Sequence, residues 1–124
     1  MKICVTSTGD GLEAAVDPRF GRCGYFIIVD PESLEFKTIP NPNASATGGA
    51  GIQSAQLVAK EGAEAVVTGN VGPNAFQTLS SLGLKVYAGA SGTVNDVIRK
   101  YKEGKFKEMS GPSAPGKTGM GGGR

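Results

Sequence analysis

Ala65-Val66-Val67-Thr68-Gly69-Asn70-Val71-Gly72-Pro73-Asn74-Ala75-Phe76 is the stretch whose reading decides the fold. Ala65 to Thr68 is an uncharged run that suits a short buried strand. Gly69 to Gly72 break it, and Pro73 stands where first-turn prolines of helices stand. Beyond it Phe76, Leu79 and Leu82 recur at helical spacing, and Gly83 supplies a stop. Leu84 to Ala88 is then a second short strand. A strand, a helix and a strand in so short a span require parallel pairing with a right-handed crossover. The chain is therefore α/β.

The pattern extends in both directions. Downstream, Gly89-Ala90-Ser91-Gly92 leads to Thr93 with Asp96 three residues on, a variant of the capping box. The helix it opens buries Val94, Val97, Ile98 and Tyr101 and ends at Gly104. Upstream, Lys2 to Ser7 reads as a first strand, with Ile3 and Val5 facing one way and Lys2, Cys4 and Thr6 the other. Cys4 reads as a small core residue. Gly24 to Val29 is a strong aromatic and β-branched strand. Asp30-Pro31-Glu32-Ser33 turns it, and Leu34 to Ile39 returns as its hairpin partner with Glu35 and Lys37 outward. A first helix spans about residues 52–61, with Ile52, Ala55, Val58 and Ala59 at helical spacing and Gly62 as its stop. The order β-β-β-α-β-α-β-α predicts a five-stranded mixed sheet covered by three helices, with the hairpin at one edge.

The 124 residues suffice for one domain, assigned to residues 1–108. From 109 to 124 the composition is Gly, Pro and Ser with almost no apolar residue, which predicts a disordered tail. Residues 1–104 carry nine Lys/Arg against ten Asp/Glu, so the body is near neutral and only the end is basic. That argues against a nucleic-acid binder, which shows a basic face on its folded part. No run is long enough to span a bilayer, and two cysteines make no disulfide framework. A cytoplasmic location is expected. Histidine is absent, which removes any Ser-His-Asp or Cys-His arrangement. Apart from Glu35 in the edge hairpin, no Asp or Glu falls inside a predicted strand, whereas a two-metal nuclease would want carboxylates on its central strands. Gly111-Pro112-Ser113-Ala114-Pro115-Gly116-Lys117-Thr118 matches the phosphate-loop pattern literally. It lacks the preceding strand and following helix that the chemistry needs, so it reads as a chance match.

Chemistry concentrates in Asp17-Pro18-Arg19-Phe20-Gly21-Arg22-Cys23-Gly24-Tyr25-Phe26. Arginine offers a planar fork of donors to oxyanions, cysteine a soft ligand once deprotonated, and glycine a close approach to the backbone. The same residues also read as a tight turn with solvated arginines and a small buried thiol. If the first, fourth and fifth strands are parallel, the glycine turns after them share one end of the sheet. Ligands of open α/β sheets bind there, and helix N-termini favour anions.

Val16 to Cys23, Gly48-Gly49-Ala50-Gly51-Ile52-Gln53 and Thr68 to Phe76 together resemble the dinitrogenase iron-molybdenum cofactor biosynthesis family, that of NifX and the C-terminal part of NifB. The resemblance covers about residues 1–108. It implies a ribonuclease H-like three-layer fold. It also implies binding or carriage, without catalysis, of an iron-sulfur or molybdenum-iron-sulfur cluster or its precursor. Arg19, Phe20, Gly21, Arg22, Cys23, Gly49, Gly51, Gly69, Asn70, Gly72 and Asn74 are then the expected cofactor-binding residues, with Cys23 the metal ligand. Nitrogenase-linked members place histidines near the cluster, a pattern from which this chain departs. The other function class is a regulatory or interaction module that binds a small anion or a partner ATPase without metal. Either suits a monomer or weak dimer, with a cluster-assembly protein as partner in the first case.

Overall fold

The computed structural model describes residues 1–44 and 48–111. The phosphate-loop match and the disordered-tail reading lie, but for their first residues, outside the described residues. The elements are β1 (Ile3–Ser7), β2 (Tyr25–Val29), β3 (Phe36–Pro40), α1 (Ala50–Lys60), β4 (Ala65–Val67), α2 (Pro73–Ser81), β5 (Lys85–Tyr87) and α3 (Val94–Lys102). They form one five-stranded mixed sheet in the order β3-β2-β1-β4-β5. The pairs β1–β2 and β2–β3 are antiparallel, and β1–β4 and β4–β5 are parallel. This is the expected α/β architecture, with the hairpin strand β3 at an edge. None of the described helices is long and apolar enough to cross a membrane.

Strand alternation divides the core in two. Cys4, Phe26, Ile28, Val66 and Val86 point to one face and meet Ala55 and Val58 of α1 and Ala75 and Leu79 of α2. Ile3, Val5, Ile27, Val29, Ala65 and Val67 point to the other and meet Val94, Val97 and Ile98 of α3. The result is three layers, α1 and α2 over the sheet over α3. Every residue of β1 is buried, as a central strand requires.

Each helix is followed by a glycine in the left-handed region: Gly62 at φ 92°, Gly83 at 86° and Gly104 at 72°. This is the helix stop that the sequence spelled out. The Thr93–Asp96 capping box is complete, with Asp96 N–H donating to Thr93 Oγ1 and Thr93 N–H to Asp96 Oδ2, each at 3.1 Å. Beyond α3 the chain returns along β5. Met109 N–H donates to Val86 O at 2.8 Å, and Glu108 pairs with Tyr87. That edge of the sheet is thereby covered.

Four expectations shift. α1 begins at Ala50, two residues early, because Gly49 takes a left-handed φ of 74° that opens the helix. Its buried face is Ala50, Ser54, Ala55 and Val58, and Ile52 is 38% exposed. Leu82 lies just beyond the end of α2 and is exposed too, while Phe76 and Tyr101 are half-buried. The hairpin register pairs Tyr25 with Pro40 and Val29 with Phe36, so Leu34 falls in the turn and Phe36 opens the strand.

Candidate functional site

The C-terminal ends of β1 and β4 are joined by a short polar relay. Thr6 Oγ1 donates to the backbone oxygen of Asp17 at 2.7 Å and lies 2.6 Å from Thr68 Oγ1. Asp17 N–H returns to Thr6 O. The loop that follows is built around the Asp17 carboxylate, which is only 3% exposed. Oδ1 accepts from the backbone N–H and Nε of Arg19, both at 3.1 Å; Oδ2 accepts from Arg19 Nη2 at 3.2 Å and from Gly24 N–H at 3.3 Å. Burial pushes the Asp17 carboxyl up. The hydrogen bonds and charge of Arg19, with the Gly24 N–H, outweigh that, and the group ends below its ordinary value. Arg19 is consequently aimed, with two of its guanidinium nitrogens held from below and most of its side chain in solvent.

Next the loop zips onto the β4–α2 turn. Asn70 N–H donates to Pro18 O at 2.8 Å and Phe20 N–H to Asn70 O at 3.3 Å. Phe20 is buried against Phe26, ring centroids 5.8 Å apart. Gly21 O accepts from Ser54 Oγ and Asn41 Nδ2, which ties the loop to α1 and to the end of β3. Two glycines make these approaches possible. A Cβ added at Gly69 would sit 2.7 Å from Pro18 Cα, and one at Gly21 would sit 2.9 Å from Gly51 Cα. Both obstacles are backbone and cannot swing aside. Gly69→Ala is therefore expected to cost about 1–3 kcal/mol, read as a lower urea midpoint. Gly72→Ala is the control, because its Cβ would meet nothing within 4 Å, and its midpoint should hardly move.

These contacts shape a cavity of about 440 Å³ at the carboxyl ends of β1 and β4. Arg19, Phe20, Gly21, Arg22, Gly49, Gly51, Asn70, Gly72 and Asn74, all expected from the sequence, line it together with Pro18, Ala50, Pro73 and Ala75. The N-termini of α1 and α2 both open onto it. Neither has a side-chain cap or an acidic residue in its first turn. By contrast α3, which faces away, has a full capping box and an acidic first turn. Side-chain caps are thus missing at the two helix starts where a ligand would take their place. The field in the cavity is positive from two helix dipoles and from Arg19 and Arg22. Arg22 also reaches the oxygen of Ala44 at 3.5 Å. The apolar floor of Pro18, Phe20, Ala50, Pro73 and Ala75 suits a large, weakly hydrated anion.

Two expected residues are placed elsewhere. Gly69 packs under Pro18 rather than lining the cavity. Cys23, expected as the metal ligand, has no exposed surface and packs in the α1–α2 core. Its Sγ lies 3.9 Å from Asn41 Nδ2. Burial, then the nearby Asp17 charge, pushes its thiol up to about 12, so it is protonated at neutral pH. Cys4 is buried as well, and burial raises it well above the ordinary thiol value. In the unfolded chain these thiols ionise near 8.5. Stability they contribute is full below that pH and is lost as pH climbs toward the folded value. The urea midpoint is accordingly expected to fall as pH rises from about 9 toward 11, a slope that Cys23→Ala should reduce. Iodoacetamide at pH 8 should label the native protein far more slowly than the urea-unfolded chain. Among the described residues no group of three or more His, Cys, Asp or Glu is placed to hold a metal ion.

Asp17 is the residue whose role the sequence reading missed. The signal was local: an Asp two residues before an Arg, in a loop crossing the end of a central strand.

The fold and cavity define a small α/β domain with an open cavity at the strand ends. Comparison with known proteins gives the family. The chain belongs to the dinitrogenase iron-molybdenum cofactor family, whose model matches residues 1–104. It is similar to the orange protein of Desulfovibrio gigas, solved in its apo form, with 39% identity and a TM-score of 0.88 over 91% of this chain and 96% of that one. It is also similar to a candidate NifB protein from Thermotoga, with 36% identity and a TM-score of 0.80 over 93% and 98% of the two chains. An uncharacterised protein of Methanocaldococcus jannaschii is 34% identical over 97 residues, 76% of this chain and 82% of its own length.

Proposed function

We propose that this protein is a non-catalytic carrier or accessory protein whose cargo is a preformed, anionic iron- or molybdenum-containing metal–sulfur cluster or its precursor. The observation that carries the reading is the convergence of two helix N-termini without side-chain caps and two arginines on one apolar-floored cavity. Membership of a cofactor family and likeness to a protein solved in what is described as its apo form support it.

The donor set decides how such a cargo would be held. A cluster that needs several protein thiolates does not fit, since both cysteines are buried and protonated. A cluster that brings its own sulfide ligands does fit. Arg19 and Arg22 would supply charge and N–H donors to its sulfur edges, the starts of α1 and α2 would add backbone N–H groups, and Pro18 and Pro73 would line its apolar side. Binding of this kind is electrostatic and reversible, as a carrier requires.

The test is metal and acid-labile sulfide content, with a visible spectrum, on protein purified without oxygen from its native cells. Stoichiometric iron or molybdenum with sulfide is expected, retained in Cys23→Ser. Loss of the cluster in Cys23→Ser with the fold intact would restore the thiolate as a ligand. A colourless protein that also refuses a supplied molybdenum–sulfide anion would make the cavity a site for a small non-metal anion or a partner's acidic group.

A further inference from the structure

One carboxylate holds Arg19 by its backbone and by its side chain. Asp17 Oδ1 accepts from the Arg19 backbone N–H and from Nε, each at 3.1 Å, and Oδ2 accepts from Nη2 at 3.2 Å. The side chain is thereby drawn back toward its own backbone. That backbone is fixed in turn by the bridge from Arg19 to Asn70, in which Asn70 N–H donates to Pro18 O and Phe20 N–H to Asn70 O. The carboxylate cannot swing away, because it is buried and its Oδ2 also takes the Gly24 N–H.

A guanidinium is a planar, rigid fork of N–H donors with distinct edges. Nε and Nη2 share its side edge, and Asp17 occupies that edge. The outer edge, formed by Nη1 and the second hydrogen of Nη2, is turned away from Asp17 by the planarity of the group. Among the described residues it meets no acceptor, and Arg19 lines the cavity. Holding the loop requires only the backbone N–H groups of Arg19 and Gly24. The two further bonds to an exposed guanidinium add little stability, and the Asp17 charge works against an anionic cargo. What those bonds do supply is direction.

We propose that Asp17 is a positioning residue for the cargo: it fills the side edge of Arg19 so that the outer edge is presented to an anion in the cavity. One guanidinium then bridges two anions, the buried carboxylate and the cargo. The proposal rests on the anion-carrier reading above and adds which donors of Arg19 meet the cargo and what aims them. An arginine immobilised beforehand loses less rotamer freedom on binding. A lysine, a point charge without edges, could not be aimed in this way.

Titration of the full chain with tetrathiomolybdate tests this as a double-mutant cycle. Arg19→Gln should weaken binding about fivefold on its own, and at most about twofold when Asp17→Asn is also present, because an unaimed arginine contributes little. Repulsion between Asp17 and the anion cancels from that comparison. If Asp17 merely held the loop, Arg19→Gln would cost the same in both backgrounds. If it merely offset the charge of Arg19, the cost would grow once Asp17 was replaced. Either result overturns the proposal, as does an Arg19→Gln variant that binds like the parent. A second reading needs no variant. In the NMR spectrum the Arg19 Nε–H should exchange slowly with water, both before and after loading. Its release on loading would mean that the cargo displaces Asp17, and the proposal would fall. A parent that takes up no anion is a separate failure, which removes the carrier reading and this proposal with it.

Discussion

Asp17→Ala is expected to lower the unfolding free energy by about 2–3 kcal/mol and to loosen residues 17–24. The loss does not come chiefly from the Arg19 ion pair, because that guanidinium is 65% exposed and water takes over its charge. It comes from the backbone N–H groups of Arg19 and Gly24, which lose a charged acceptor in a partly buried loop, and from the space vacated beneath them. Urea unfolding measures it. The carboxyl is held below its ordinary value in the fold. Its contribution is therefore present above the unfolded value, near pH 4, and is lost as pH falls through the folded one. Asp17→Asn should flatten that acid limb. An Asp17→Ala protein as stable as the parent would mean that the loop is held by Thr6, Asn70 and Asn41 alone.

The second large effect concerns binding. Arg19→Gln combined with Arg22→Gln should weaken uptake of a molybdenum–sulfide anion such as tetrathiomolybdate by roughly thirtyfold or more at low salt. The two helix starts remain, so binding should not vanish. The parent's affinity should fall steeply with added salt and the double variant's much less. Conversion of the same pair to lysine should recover part of the affinity, because charge returns without the planar fork. Spectrophotometric titration reads all three. Unchanged affinity in the glutamine variant would place the anion outside this cavity.

Most of the architecture was legible because its signals are local. Gly69 to Pro73, Thr93 with Asp96, and the three helix-stopping glycines each do in the fold what their chemistry dictates, so strand and helix order could be read directly. The start of α1 could not, because residues 48–51 have no apolar period and nothing marks where such small residues turn helical. Ile52 misled for a related reason: α1 turns the small residues Ala50, Ser54 and Ala55 inward with Val58, and Ile52 is turned out. In the site, nine of the eleven positions expected to bind a cofactor line the cavity. Cys23 and Gly69 differ because an irregular loop has no period. The direction of a side chain there depends on long-range packing against Asn41 and Pro18, which chemical type does not disclose. Asp17 was visible as a carboxylate, but its burial followed only from the loop's crossing of β1.

The placement of β1 at the centre of the sheet has a consequence for synthesis. Thr6 and Thr68, whose hydroxyls touch, are 62 positions apart. The antiparallel strands β1, β2 and β3 can pair while the chain is still emerging, but one flank of β1 stays bare until β4 has been made. At roughly 5–20 residues per second that interval is several seconds. The walls of the cavity come from residues on both sides of the gap. A nascent chain lacking β4 and the start of α2 therefore has no complete cavity, and under the proposed function cargo would be taken up only once those residues have emerged.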